Sequence, residues 1–316
     1  MPRYRDALPQ LSGDIYLADA GVETDLIFNH GIEIREFAAH TLLPDPKGRA
    51  ALTRYFEGFL DLAREQGTGF ILDTSTWKAH CHWAAKLGAT EDELKAANEE
   101  CVRFIADLRG RYDGNAMPIV LNGVMGPRGD AYRPEAVIAM DEAEAYFAQQ
   151  LAWLAATEVD MVSALTFNQA SEAAGLAKAA RKVGLPAVIS FTVETNGALP
   201  NGESLADAIA KVDAATDRYP AYYMVNCAHP DHFGGALLDA PWARRIRGIR
   251  ANASRQSHAQ LDEAPELDAG NAQELAQQYR ALADRMPWLN VFGGCCGSDL
   301  RHVTEIARAI RGRRTG

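Results

Sequence analysis

The chain has 316 residues, enough to bury a large core, and sets 32 basic against 42 acidic residues for a formal net charge of −10 at pH 7. A chain so acidic has no general attraction for nucleic acid or an anionic membrane, so its partner is expected to be a small molecule. Five cysteines, two of them adjacent, suit a reducing cytoplasm better than a secreted disulfide framework, no apolar run approaches the roughly 20 residues of a membrane span, and the start of the chain, Met1 to Asp6, lacks the apolar core of a signal peptide.

Eight short β-branched or apolar runs can be read along the chain, most of them followed by an amphipathic helical stretch. The first, Ile15 to Ala20, leads into Asp19 Ala20 Gly21 Val22 Glu23 Thr24, an acidic turn that is neither G-x-G-x-x-G nor a P-loop, so nucleotide binding through those motifs is not expected. A helix is predicted over Arg49 to Glu65. The second run, Gly69 to Thr74, precedes Trp77, Lys78 and the H-x-H pair His80 Cys81 His82. The next helix, Asp92 to Arg109, carries Cys101 in an apolar pattern with Val102, Phe104 and Ile105, which reads as core. Pro118 to Gly123 and Met161 to Phe167 follow, each with a helix after it, Asp141 to Thr157 and Glu172 to Val183. Ala187 to Val193 leads to a helix over Ser204 to Thr216. Tyr222 to Cys227 and Ile246 to Ala251 come next, then a helix over Asn271 to Arg285. The last run, Leu289 to Gly294, opens onto Cys295 Cys296 Gly297, and a final helix spans Asp299 to Arg311. The basic end, Arg311, Arg313 and Arg314, reads as a solvated terminus that complements the helix dipole.

Strands alternating with helices argue for a parallel sheet, and eight such units are the number that closes a barrel. The expected fold is a single α/β domain, a (β/α)8 TIM barrel over residues 1–316, with no linker or repeat dividing it.

In such a barrel the chemistry sits at the C-terminal ends of the strands. Cys227 ends the sixth run, and Cys295 and Cys296 end the eighth. Three thiols at two strand ends suit a zinc ion with one position left open, since thiolates are soft ligands and three protein ligands mark a catalytic site. The plainer reading makes the vicinal pair two small buried residues beside a glycine turn. Histidines offer another metal reading. A hydrolase could use His80 and His82, or His229 and His232 beside Cys227, to activate water. Residues i and i+2 of a helix do not share a face, which weakens the first pair.

These residues resemble the zinc-dependent homocysteine S-methyltransferase family from about Asp19 to Ile310. The most specific elements are Val225 Asn226 Cys227 and Gly293 Gly294 Cys295 Cys296 Gly297. Weaker ones are Glu23 and Thr24, the stretch Gly123 Val124 Met125 Gly126 Pro127, and Ser190 Phe191 Thr192 Val193. The resemblance implies a (β/α)8 barrel in which Cys227, Cys295 and Cys296 are the zinc ligands and the catalytic centre. Substrate contacts are expected from Asp19, Gly21, Glu23, Thr24, Trp77 and Asn226. The chain departs from the family at Leu165, where members that use homocysteine usually carry a glutamate for the substrate's amino group. Ala20 stands where glycine is usual, and Trp77 and Lys78 also differ from the common pattern.

The chemistry implied is methyl transfer from a small onium donor, such as S-methylmethionine, S-adenosylmethionine or a betaine, to a thiol acceptor, homocysteine first among them. A free thiol titrates near about 8.5, and a zinc ion would make its thiolate the resting form. Aromatic rings hold onium cations by cation–π contact, and Trp77, Trp83, Tyr132 and Phe167 are candidates, each equally explained by packing. A non-catalytic zinc or thiol-binding relative remains the third reading, and oligomeric state is not legible.

Overall fold

Eight parallel strands close into a barrel in the order in which they occur in the chain, with β1 paired to β8. The computed structural model describes residues 1–114, 117–132, 137–237, 240–264 and 266–311. Arg313 and Arg314 of the basic end lie outside the described residues.

Strand β1 (Tyr16–Ala18) leads through a short helix, α1 (Val22–Thr24), to the long helix α2 (Pro46–Gln66). Then come β2 (Gly69–Asp73), α3 (Cys81–Leu87), α4 (Glu91–Arg111), β3 (Ile119–Met125), α5 (Met140–Ala155), β4 (Met161–Phe167), α6 (Ala170–Lys182), β5 (Ala187–Phe191) and α7 (Leu205–Thr216). The last quarter holds β6 (Tyr222–Asn226), α8 (Pro230–Phe233), β7 (Ile246–Ala251), α9 (His258–Glu263), α10 (Ala272–Arg285), β8 (Val291–Gly294) and α11 (Leu300–Ile310). This is the α/β TIM-barrel fold expected from the alternation of runs.

Local chemistry starts and stops the long helices. Asp45 caps α2 by accepting from Gly48 N, Pro46 opens its first turn, and Gly67 closes it in the left-handed region. Thr90 and Glu93 form a reciprocal capping box at the start of α4. The short helices α3, α8 and α9 were not legible, because a turn or two of helix gives the apolar period nothing to repeat over.

Strands β2 to β6 are buried along their whole length. A parallel sheet with helices outside and side chains filling its interior requires this, and it explains their unbroken apolar runs. Tyr16, Val120, Met161, Val188, Tyr222 and Val291 fill the interior. Leu17, Phe70, Leu121, Val162, Ile189 and Phe292 face outward into a second core with the helices. Predicted and observed strand ends differ by a few residues, for reasons of pairing. Strand β3 runs on past Gly123, because Val124 and Met125 find partners in Ser163 and Ala164. Strand β5 stops at Phe191, and Thr192 instead donates its N–H to Phe167 O across the strand end.

Candidate metal and substrate site

The sulfurs of Cys227, Cys295 and Cys296 all lie within 4.8 Å of one another. Cys227 Sγ is 3.1 Å from Cys295 Sγ and 3.6 Å from Cys296 Sγ. Cys227 is buried and the vicinal pair partly exposed at the barrel mouth. No other group of three ligand-type side chains among the described residues is placed to share a metal ion.

The backbone that delivers these thiols is tightly held. Cys227 has φ 56°, a left-handed conformation that costs a non-glycine residue roughly 1–3 kcal/mol. Its carbonyl is fixed by three donors, His258 Nε2 at 2.6 Å, Asn252 Nδ2 at 3.1 Å and Thr192 Oγ1 at 3.2 Å. At the end of β8, a Cβ on Gly294 would stand 2.0 Å from Ser298 Oγ, so only glycine lets the chain turn there. Ser298 Oγ in turn donates to Cys295 O at 2.6 Å.

Asn226 ties three strands together beneath the thiols. Its Oδ1 accepts from Thr166 N and Ser190 Oγ, its Nδ2 donates to Thr166 Oγ1, and the same Nδ2 is 3.8 Å from Cys295 Sγ. Thr166 is itself left-handed, φ 65°, where the register of β4 against β5 shifts. Ser190 and Thr192, which carried part of the resemblance, thus support Asn226 and Cys227 from below.

Tyr132 covers the thiols. Its hydroxyl is 2.9 Å from Cys227 Sγ and 3.8 Å from Cys296 Sγ, and its ring stacks on His258 with centroids 4.1 Å apart. Burial and the nearby sulfurs push the phenol well above its usual range, so the hydroxyl keeps its proton beside the sulfurs. Both ring nitrogens of His258 face acceptors, the Cys227 carbonyl and, at 3.0 Å, the Glu194 carboxylate.

The three thiols do not ionise alike. Hydrogen bonds from Cys227 and Cys296, and the charge of Arg250, hold the Cys295 thiol well below its usual range. Hydrogen bonding with Cys295 and Cys296, then burial and the charge of Cys295, push Cys227 well up. Cys296 is lowered by Cys227 but raised further by Cys295 and burial. Three close thiolates repel one another unless a cation shares them, so this donor set fits a soft divalent ion.

The first loop is bound into this centre. Arg250, on β7, donates to Asp19 and Asp73, and its Nε reaches Gly294 O at 3.2 Å. Burial pushes the Asp19 carboxyl up, against the pull of Arg250. Asp19, expected at the substrate, therefore spends its carboxylate on a buried ion pair. Thr24 Oγ1 donates to Gly21 O at 3.0 Å and accepts from Gly297 N at 3.2 Å. A Cβ on Gly21 would lie 2.6 Å from Cys295 O. Thr24 and Gly21 thus fasten the first loop to the cysteine turn. Glu23 is partly exposed beside them, pushed up to about 7 by burial and by the charge of Cys295.

Trp77 donates its indole N–H to Leu165 O at 3.0 Å and packs with Leu165 in the interior cluster, forming an apolar wall at the mouth. Among the other aromatic candidates, Trp83 lies under Lys78, whose Nζ is 3.9 Å from its centroid. Phe167 does not face the mouth. It is fully buried between barrel and helices, against Phe147, because the register shift in β4 turns it outward.

The histidine readings dissolve into capping and packing. His80 stands at the N-cap position of α3 without a side-chain cap and its Nδ1 pairs with the Tyr146 hydroxyl, while His82 sits on the exposed side. His229 caps α8 by accepting from Asp231 N, and His232 contacts Arg255 O. Cys101 is buried as expected, and Cys81 is exposed.

A family profile described as Homocysteine S-methyltransferase matches residues 16–310. Among solved structures, the homocysteine methyltransferase MmuM from Escherichia coli is similar in its oxidised form, with TM-score 0.75 and 19% identity over 95% of this chain and 97% of that one. Its metallated form is similar with TM-score 0.73 and 19% identity over 95% and 99%. No curated protein sequence matches.

Proposed function

The chain belongs to the homocysteine S-methyltransferase family, and from that premise we propose that it is a zinc-dependent enzyme moving a methyl group from a small onium donor to a thiol acceptor. The observation that carries this reading is the convergence of three sulfurs within 4.8 Å at the barrel mouth. The ligands are Cys227, Cys295 and Cys296. When bound, the ion supplies the Lewis acidity that keeps an acceptor thiol deprotonated near neutral pH.

The chain's own residues do the rest. Asn226 holds the Cys227 strand end to β4 and β5, so the ligand turn keeps its geometry as substrates come and go. Tyr132 donates to Cys227 and limits the entry of water. Asp19 acts through Arg250, which braces the Gly294 carbonyl beside Cys295. Gly21 and Thr24 keep the first loop against that turn, and Trp77 walls the acceptor's path. The acceptor sulfur forms a bond to the donor's methyl carbon as the donor's bond to that carbon breaks. The bonding pair leaves with the donor, which departs neutral, and the thiol proton is released. Homocysteine is the first acceptor to test. A thiol centre works only while reduced, and on that ground the proposed location is the cytoplasm.

The test is metal analysis and mass spectrometry of methylated product on reduced protein, wild type and Cys296→Ala. We expect about one zinc per chain and turnover with S-methylmethionine or another onium in the wild type, and loss of both in the variant. Full zinc and full turnover in Cys296→Ala would refute the ligand assignment.

A further inference from the structure

Asn168, just past β4, and Glu172, in the first turn of α6, are each only 1% exposed. Burying an amide or a carboxylate costs free energy unless hydrogen bonds offset it, and burial pushes the Glu172 carboxyl up to about 7. The bonds these two side chains make therefore show what keeps them there. Glu172 Oε1 accepts from Arg128 N at 2.7 Å. Asn168 Nδ2 donates to Asp130 O at 3.1 Å and to Ala131 O at 2.9 Å, while its Oδ1 is buried without a partner. Both side chains thus direct their polarity to the backbone of one loop, residues 126–132 after β3.

That loop delivers Tyr132 to the thiols. It starts against the loop after β2, where Gly126 N donates to Trp77 O at 3.0 Å and a Cβ on Gly126 would stand 2.6 Å from the same oxygen. At Tyr132 the backbone N–H donates to Asp130 Oδ1 at 2.8 Å, the ring stacks on His258, and the hydroxyl stands 2.9 Å from Cys227 Sγ and 3.8 Å from Cys296 Sγ. Glu172 and Asn168 grip the residues between, Arg128, Asp130 and Ala131. Loop backbone with few such ties opens locally at low cost, so these three bonds decide how firmly Tyr132 is held.

We propose that Glu172 and Asn168 are positioning residues that hold Tyr132 over Cys227 and Cys296, and so set how readily those two thiols meet solvent and reagents. They act through the loop backbone rather than on the sulfurs. The strand–helix junction after β4 thereby controls the loop after β3. The inference adds to the metal-centre reading above the residues that shield its ligands, and sulfur reactivity tests it whether or not methyl transfer occurs.

The experiment is pulse labelling of the reduced, full-length protein with iodoacetamide, with and without added zinc, the label at each cysteine being read by peptide mass spectrometry. Buried Cys101, on α4, reports general loosening. Glu172→Ala should raise labelling of Cys227 and Cys296 about ten-fold, the size expected for losing a hydrogen bond to a charged acceptor, and leave Cys101 unchanged. Glu172→Gln, whose amide oxygen still accepts from Arg128 N, should label as the wild type does. Asn168→Leu, similar in volume and without the donor, should act in the same direction as Glu172→Ala, so the test does not hang on one variant folding. In a Tyr132→Ala background, where both thiols are already open, Glu172→Ala should add nothing. Unchanged labelling in both Glu172→Ala and Asn168→Leu, a parallel rise at Cys101, no rescue by Glu172→Gln, or a full further increase in the Tyr132→Ala background overturns the assignment. Each of these leaves the methyltransferase reading intact.

Discussion

The hydroxyl of Tyr132 lies 2.9 Å from the sulfur of Cys227, although the residues come from the loop after β3 and the end of β6. The ring is held in place by stacking on His258, so the O–H is presented to sulfur in a fixed direction. A donor on a ligand thiolate offsets part of its negative charge and fixes its orientation. Tyr132→Phe keeps the stack and removes the donor, and metal affinity should fall by about ten-fold, in line with the loss of other outer partners of ligand residues. Chelator competition on the two proteins measures it, and an unchanged affinity would show that the contact is packing alone.

Asn226→Ala removes the acceptor of Thr166 N and Ser190 Oγ from a buried position. Each orphaned donor costs roughly 1–3 kcal/mol. The variant should unfold at clearly lower urea concentration and bind metal more weakly, whereas loss of metal affinity at unchanged stability would assign Asn226 to the thiol centre alone.

Arg250→Met leaves Asp19 and Asp73 buried without their cation. Breaking a buried ion pair from one side costs about 3–5 kcal/mol. Thermal unfolding should show a large fall in Tm, and Asp19→Asn should show a smaller one, because Asp73 still pairs with Arg250. Equal effects from the two variants would contradict the shared pairing.

His80 provides a dependence on pH remote from the thiols. Burial holds its imidazole down at about 3 in the folded chain, and its Nε2 is buried without a partner. In the unfolded chain it titrates near about 6.5. The unfolded state therefore binds more protons between those values, so the stability contributed by neutral His80 is complete above pH 6.5 and is lost as the pH falls toward 3. A difference of this size is on the order of 5 kcal/mol at its limit. His80→Gln, which does not titrate, should lose less stability between pH 7 and pH 4 when urea midpoints are compared. Parallel curves would show that the acid sensitivity lies elsewhere, in His40 for example, which burial lowers to about 4.

The sequence by itself determined the barrel and the positions of the three thiols. Eight apolar runs separated by amphipathic helices leave few other ways to bury a parallel sheet, and a barrel brings Cys227, Cys295 and Cys296 to one rim because strand ends share a face. The sequence also held an unread signal in Arg250, a charge inside an apolar run that stays buried only with a partner. Tertiary structure alone decided the rest. It gave Asp19 to Arg250, turned Phe167 away from the mouth, placed Tyr132 and His258 around Cys227, and left Lys78 among three rings. These contacts join loops far apart in sequence. Their conformations follow from packing against neighbouring strands, which no local period or motif encodes.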